Sequence, residues 1–336
     1  MRNTGRVKII DVASAAGVSV TTVSHVITGR RQVAPATRAR VEDVIRRLGY
    51  QVDATARGLR TQRTTTLALL VPDITNPFNT EVAAGMQEVA LAHGYLTVVC
   101  EAPMNGPLLS EVLQQLTARR VDGIVLGRYG ATRRDLDRVT ATGTRLVRFG
   151  RRLSEGPGDV VRADETEGAR TLVEHLVRSR GCRRVGFIGG APGIEPGGER
   201  YAGYRQALLD AGLEVPEDLV AWTDFTREGG RTGAARLLSA DVPPQALVCA
   251  NDLIAIGALD IARERGLRVP HDLAITGYDD IDAASLVSPA LTTVFNPGRD
   301  MGRAAARLLL ERLEDGEEGA AREVILAQRL VARESA

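Results

Sequence analysis

The sequence predicts an all-α helix-turn-helix head followed by an α/β body of two doubly wound lobes. Residues 6–50 form the head, 51–63 a linker and 64–333 the body. Three observations carry this reading. The first thirty residues have the grammar of two crossed helices. Basic charge is concentrated ahead of residue 64. Beyond Thr66, short apolar runs alternate with helical stretches.

In the head, helix one runs from Ile9 to Ala16, and Gly17 supplies a turn where a residue without Cβ takes positive φ. Ser19 caps helix two, its hydroxyl accepting from the backbone N–H of Thr21 or Thr22. Val12, Val18, Val23 and Val26 recur at helical spacing as a small core, and Ala13 lets the helices cross closely. The first turn of helix two, Val20 and Thr21, then points outward, where a helix-turn-helix meets base edges. An ordinary helical hairpin would share this spacing. A third helix, Thr37 to Leu48, carries Val41, Val44, Ile45 and Leu48 on one face and stops at Gly49.

The overall charge of +1 hides a division. Residues 1–63 hold twelve Arg or Lys against four Asp or Glu, a net of +8; the remaining 273 residues hold 31 against 38, a net of −7. A basic head on an acidic body implies a polyanionic partner for the head alone. Cys100, Cys182 and Cys249 lie far apart without metal spacing, so a reduced cytoplasmic setting is expected, with neither metal nor cofactor. No apolar stretch approaches the ~20 residues of a membrane span, and the N-terminus has no signal-type apolar core, so no membrane partner is expected.

In the body, strands read at 67–71, 96–100, 123–126, 146–149, 184–189, 246–249 and 273–277. They are short continuous apolar runs, as parallel strands covered on both faces require. Helices fall between them at 77–93, 166–180, 198–211, 229–238 and 251–265. The glycine-rich, acidic break at Ser154–Asp159 is the expected boundary between lobes. Ligands of such sheets bind beyond the carboxyl ends of strands, which here carry Asp73, Phe149, Asn251-Asp252 and Tyr278-Asp279-Asp280. Asn251 and Asp252 would equally serve as plain helix caps.

The head, Val71-Pro72-Asp73-Ile74-Thr75-Asn76-Pro77-Phe78, Arg200-Tyr201-Ala202-Gly203-Tyr204, Gly277-Tyr278-Asp279-Asp280, Pro289 to Val294 and the final Arg333-Glu334-Ser335 occur in one order. Together they make the chain similar to the LacI/GalR family of bacterial transcription regulators. The resemblance implies a periplasmic-binding-protein-like body, two lobes joined by three crossovers with an effector between them. It implies that Val20, Thr21 and His25 read bases, that Thr22 holds a phosphate, and that Arg31 contacts base or backbone. Residues Ala54 to Leu59 resemble the family's hinge helix. Leu59 would be the minor-groove wedge, with Arg57 and Arg60 beside it on groove or phosphate. Val52-Asp53 and Gly58 depart from the family pattern there, and Lys8 replaces the usual hydroxyl cap of helix one; all three favour a hinge and head that fold less readily without operator.

On the sensor side the resemblance assigns Phe78, Arg200, Phe225, Asn251 and Asp279 to the effector. Arginine, asparagine, aspartate and aromatic faces suit a polyol. Core packing for the two rings, and an inter-lobe salt bridge for Arg200, remain open. The head is similar to that of purine-responsive members, but Ile194 and Pro196 stand where those have polar groups. A sugar or sugar derivative is therefore the expected effector. A homodimer on a near-palindromic double-stranded operator is expected too, since no leucine heptads follow Ser335. A repressor is the first reading, with an activator or a purine-responsive regulator as alternatives. An enzyme is disfavoured because Gly189-Gly190-Ala191-Pro192-Gly193 lacks dinucleotide spacing and the only lysine is Lys8. A secreted solute-binding protein would need an export signal and no basic head.

Overall fold

The computed structural model describes residues 7–28, 31–50, 63–103, 106–127, 130–150, 156–190, 195–215, 217–315 and 319–336. The chain divides into two compact units, Met1–Thr64 and Thr65–Ala336. In the first, α1 (Ile9–Ala16), α2 (Val20–Thr28) and α3 (Pro35–Leu48) form a three-helix cluster. The axes of α1 and α2 meet at 104° across a turn in which Gly17 has φ of 62°. Only glycine takes that left-handed conformation without strain. Ser19 Oγ accepts from the Thr22 backbone N–H at 3.1 Å, closing the start of α2. At α1 the side-chain cap is indeed missing, but the Asp11 carboxylate accepts from the Lys8 backbone N–H at 2.8 Å. Val12, Ala13, Ala16, Val23, Val26, Val41 and Val44 are buried together. Leu48 departs from expectation: it is 38 % exposed rather than part of that core.

The second unit holds two parallel sheets. The first is six-stranded, in the order β2 (Leu96–Glu101), β1 (Thr66–Val71), β3 (Gly123–Leu126), β4 (Arg145–Phe149), β5 (Asp159–Ala163) and β11 (Glu323–Leu326). Its strands alternate between two cores. Leu67, Leu69 and Val71 pack with Met86, Met301 and Leu309 under α4 (Pro77–Ala92) and α12 (Gly298–Asp315). Ala68 and Leu70 pack with Leu109, Leu113 and Leu136 under α5 (Pro107–Ala118) and α6 (Arg133–Ala141). Burial on both faces is why β1 and β3 read as unbroken apolar runs. The edge strands are the exceptions: in β2 Leu96 is 64 % and Val98 43 % exposed, and in β11 Ile325 is 56 % exposed.

The second sheet is four-stranded, in the order β7 (Val220–Trp222), β6 (Val185–Gly189), β8 (Ala246–Cys249) and β9 (Ala274–Thr276). Around it lie α7 (Glu165–Arg180), α8 (Gly197–Asp210), α9 (Arg227–Leu237), α10 (Asp252–Glu264) and the short α11 (Asp282–Leu286). An antiparallel pair, β10 (Thr293–Phe295) and β12 (Arg329–Val331), lies alongside through the bridges Thr276↔Thr292 and Asp279↔Phe295.

The chain passes between the lobes three times, at residue 164, at residues 296–297 and at residues 327–328. The expected lobe boundary at Ser154–Asp159 is therefore corrected. Asp159 opens β5, which pairs with β4 and β11 inside the first sheet, so the first passage comes only after Ala163. The glycines that suggested a break form the turn into β5. Arg333-Glu334-Ser335 is a clasp: Arg333 pairs with Asp280 at 2.6 Å, Glu334 accepts from the Ala290 N–H at 2.9 Å, and Ser335 Oγ accepts from the Thr292 N–H at 2.9 Å.

Candidate functional site

On α2 the cap sorts the side chains. Val23 and Val26 turn into the core, while Val20, 41 % exposed, and Thr21 face solvent. His25 is half-buried and Arg31 is exposed beyond the helix. At 100° per residue Thr21 and His25 fall one turn apart on a common face. Thr22 is half-buried, and its hydroxyl lies 2.9 Å from Ser19 Oγ, so it belongs to the cap as well as to the surface. Arg57, Leu59 and Arg60 lie outside the described residues, as do Val52, Asp53, Gly58 and Ile194.

In the second unit, a cleft of about 270 Å³ opens between the lobes at the carboxyl ends of both sheets. β1 is flanked by β2 and β3, and β6 by β7 and β8; at such points successive connections leave in opposite directions and a crevice results. Val71 ends β1 at the cleft and Pro72 and Asp73 follow it, Gly127 follows β3, Glu195 and Pro196 follow β6, and Asn251 follows β8. Phe78, Arg200, Phe225, Asn251 and Asp279 are brought together there.

Each of the five is held by local chemistry. Phe78 is in the first turn of α4, whose cap Asn76 accepts from the Phe78 N–H at 3.0 Å. Phe225 lies against Gly190, where a Cβ would come within 1.9 Å of the ring. Both rings pack on core edges and border the cleft, so packing and lining coexist. Asn251 is the cap of α10: Oδ1 accepts from the Ile254 N–H at 2.9 Å, and Nδ2 donates to the Phe225 carbonyl at 3.3 Å. The capping role is real, and it also ties the Phe225 loop to β8.

Arg200 is 3 % exposed, and among the described residues its ion pairs, with Glu165 and Asp279, stay within the second lobe. Nε donates to Glu165 Oε2 at 2.8 Å, one terminal nitrogen donates to the Ala250 carbonyl, and the other reaches Asp279 Oδ1 at 3.1 Å. Its Cζ stands 3.6 Å from the centroid of the Tyr278 ring. Those contacts use three of five N–H donors. Burial works against the guanidinium's charge, but Glu165 and Asp279 outweigh it and hold the group above its ordinary range. Asp279 shows the opposite balance: burial pushes its carboxyl up, and Arg200 and Asn296 offset only part of that. Its backbone φ is +103°, a conformation rare outside glycine and typical of positions that aim a functional group. Asp252 does not line the cleft; it is buried, accepts from Thr293 Oγ1 at 2.7 Å and from the Ile281 N–H at 2.8 Å, and its carboxyl is pushed well up by burial.

Sequence reasoning passed over Asn79, Glu195, Asp224, Asn296 and Met301, which also line the cleft. Asn79 was the most accessible of these, one helical turn beyond the cap Asn76. Asp224 stands beside Phe225. Asn296 comes from a crossover, which no local pattern marks. The described residues hold no metal-binding cluster, and none of their single helices is long and apolar enough to cross a membrane.

Comparison with known proteins agrees with both halves. Residues 8–53 match the bacterial regulatory proteins of the lacI family, and 173–336 a periplasmic binding protein-like domain. The ribose operon repressor of Escherichia coli is 33 % identical over 306 residues, covering 90 % of this chain and 92 % of that one. A solved complex of the transcriptional regulator CelR with cellobiose is 34 % identical, with a TM-score of 0.72 over 98 % of this chain and all of the other. The lac repressor dimer bound to operator and an anti-inducer is 25 % identical, with a TM-score of 0.88 over 98 % of this chain and 99 % of the other. This chain belongs to the lacI family of bacterial regulatory proteins and is an effector-responsive, DNA-binding transcription regulator.

Proposed function

We propose that the protein is a homodimeric repressor of a near-palindromic operator, controlled by a sugar or sugar derivative held between its lobes. The observation that carries the effector reading is the composition of the cleft. Three aromatic rings, Phe78, Phe149 and Phe225, border it alongside carboxylate, amide and guanidinium groups from both sheet ends. A ring face takes the C–H surface of a pyranose or furanose, and the polar groups take its hydroxyls. Relatives in complex with cellobiose, or named for the ribose operon, support the same class. A dimer is supported by the lac repressor dimer and by the exposed apolar residues Leu96, Val98 and Val99 on β2.

On the DNA side, Val20 meets a thymine methyl, Thr21 and His25 meet base edges, and Thr22 and Arg31 meet phosphate. Leu59, with Arg57 and Arg60, reaches the minor groove. Trp222, the only tryptophan of the chain, immediately precedes the cleft residue Thr223 and packs edge-on against Tyr201 with centroids 5.1 Å apart. Its fluorescence should change saturably with at least one pentose, hexose or disaccharide and not with hypoxanthine or guanine. A response to a nucleobase alone would replace the sugar reading by the purine one.

A further inference from the structure

We propose that Gln328, which does not line the cleft, is a positioning residue that ties the three crossovers into one hinge and joins that hinge to Arg200 and Asp279. Gln328 is half-buried in the third crossover. Its Nε2 donates to Asn296 Oδ1 at 3.1 Å, and its Oε1 accepts from the Tyr278 hydroxyl at 2.9 Å. Asn296 stands in the second crossover, and its Nδ2 donates to Asp279 Oδ1 at 3.0 Å, the same oxygen that Arg200 reaches. Arg200 lies over the Tyr278 ring and bonds Glu165, the residue directly after the first crossover. Arg200, Asp279, Asn296, Gln328 and Tyr278 thus form a closed ring that takes one polar side chain from each of the second and third crossovers, and Arg200 ties it to Glu165 at the exit of the first.

Two details show that the ring has no slack. A Cβ on Gly168, in the first turns of α7, would come 2.2 Å from the Tyr278 hydroxyl and 2.8 Å from Gln328 Oε1. The helix that leaves the first crossover is therefore packed directly on the pair that anchors the third. The amide orientations are also mutually fixed. Asn296 must turn Nδ2 to the Asp279 carboxylate, so it offers Oδ1 to Gln328, and Gln328 must answer with its donor and leave Oε1 for the tyrosine. A hydroxyl bound at Asp279 or Arg200 perturbs this ring, so its effect arrives at all three crossovers together. That last step rests on the cleft being the effector site; the wiring can be tested with the cleft empty.

Hydrogen–deuterium exchange on the full-length protein, wild type against Gln328→Met and Tyr278→Phe, makes the test. Methionine keeps the length without the amide; phenylalanine keeps the ring over Arg200 without the hydroxyl. Each substitution should speed exchange about fivefold in peptides over residues 163–168, 294–299 and 326–330, and leave 107–118 unchanged. The double variant should exchange no faster than the quicker single one, because one ring opens only once. Acceleration confined to the substituted crossover, a uniform rise that includes 107–118, or additive effects in the double variant would each overturn the proposal. A cleft that bound no sugar would leave these exchange results unaltered.

Discussion

Ser19 links the two jobs of the recognition helix. It accepts from the Thr22 N–H and touches the Thr22 hydroxyl, so it both satisfies an orphan donor and orients the first turn, the one proposed to meet DNA. Ser19→Ala should cost the head about 1 kcal/mol, measured by the melting of residues 1–64 within the full chain. Base readers and phosphate holders should separate cleanly. His25→Ala should lose about 1–3 kcal/mol at one operator position and relax preference there. Arg31→Ala should weaken all sequences alike and lower the salt slope by about one. An electrophoretic competition series over half-site variants distinguishes the two patterns; a uniform loss for His25→Ala would remove it from base readout. Arg200 is a different kind of residue. Removing it leaves Glu165 and Asp279 buried without their counter-charge, a loss of about 3–5 kcal/mol. A simple alanine variant therefore reports folding as much as binding.

At the level of elements, buried strands announce themselves and covered edges do not. β1, β3, β6 and β8 have apolar residues on both faces, and their runs could be read directly. β7, β10 and β12 are three residues each, too short for a period to register by themselves; β9 is as short but could be read with the motif Gly277-Tyr278-Asp279-Asp280 that follows it. β11, Glu323–Leu326, is a half-exposed edge. β5 was obscured by the glycines of the preceding turn, yet its first residue is among the best anchored in the lobe. Asp159 is 3 % exposed and receives Arg312 at 2.8 Å and Arg322 at 2.9 Å, joining β5 to α12 and to the approach to β11. Burial pushes its carboxyl up, and the bonds from Arg312 and Arg322 more than offset this and hold it below its ordinary value. A lowered carboxylate pKa gives stability that is present above the unfolded value of about 4 and is lost as pH falls through the folded one. The wild type should thus lose urea resistance steeply in that acid window. Asp159→Asn should flatten the loss while lowering stability at pH 7; an unchanged acid profile would show that the pair contributes nothing.

Across the whole molecule, the division of labour was legible from charge and order alone: a basic head, then an acidic α/β body with polar groups at strand ends. Arg200, Asn251 and Asp279 could be named from their motifs. The bonds that Arg200 makes could not, because they join residues 35 to 79 positions apart, and Asn296 and Gln328 lie in crossovers that carry no periodic signal. Cleft and head have to communicate for the protein to regulate. Operator binding by the full-length protein, titrated in parallel with a sugar panel and with nucleobases, tests that directly. One sugar at saturation should change operator affinity by about 5–150-fold, and Phe225→Ala should abolish the change while leaving sugar-free operator affinity intact. A shift produced by a nucleobase and by no sugar would contradict the account, as would a sugar that binds the cleft with no effect on operator affinity.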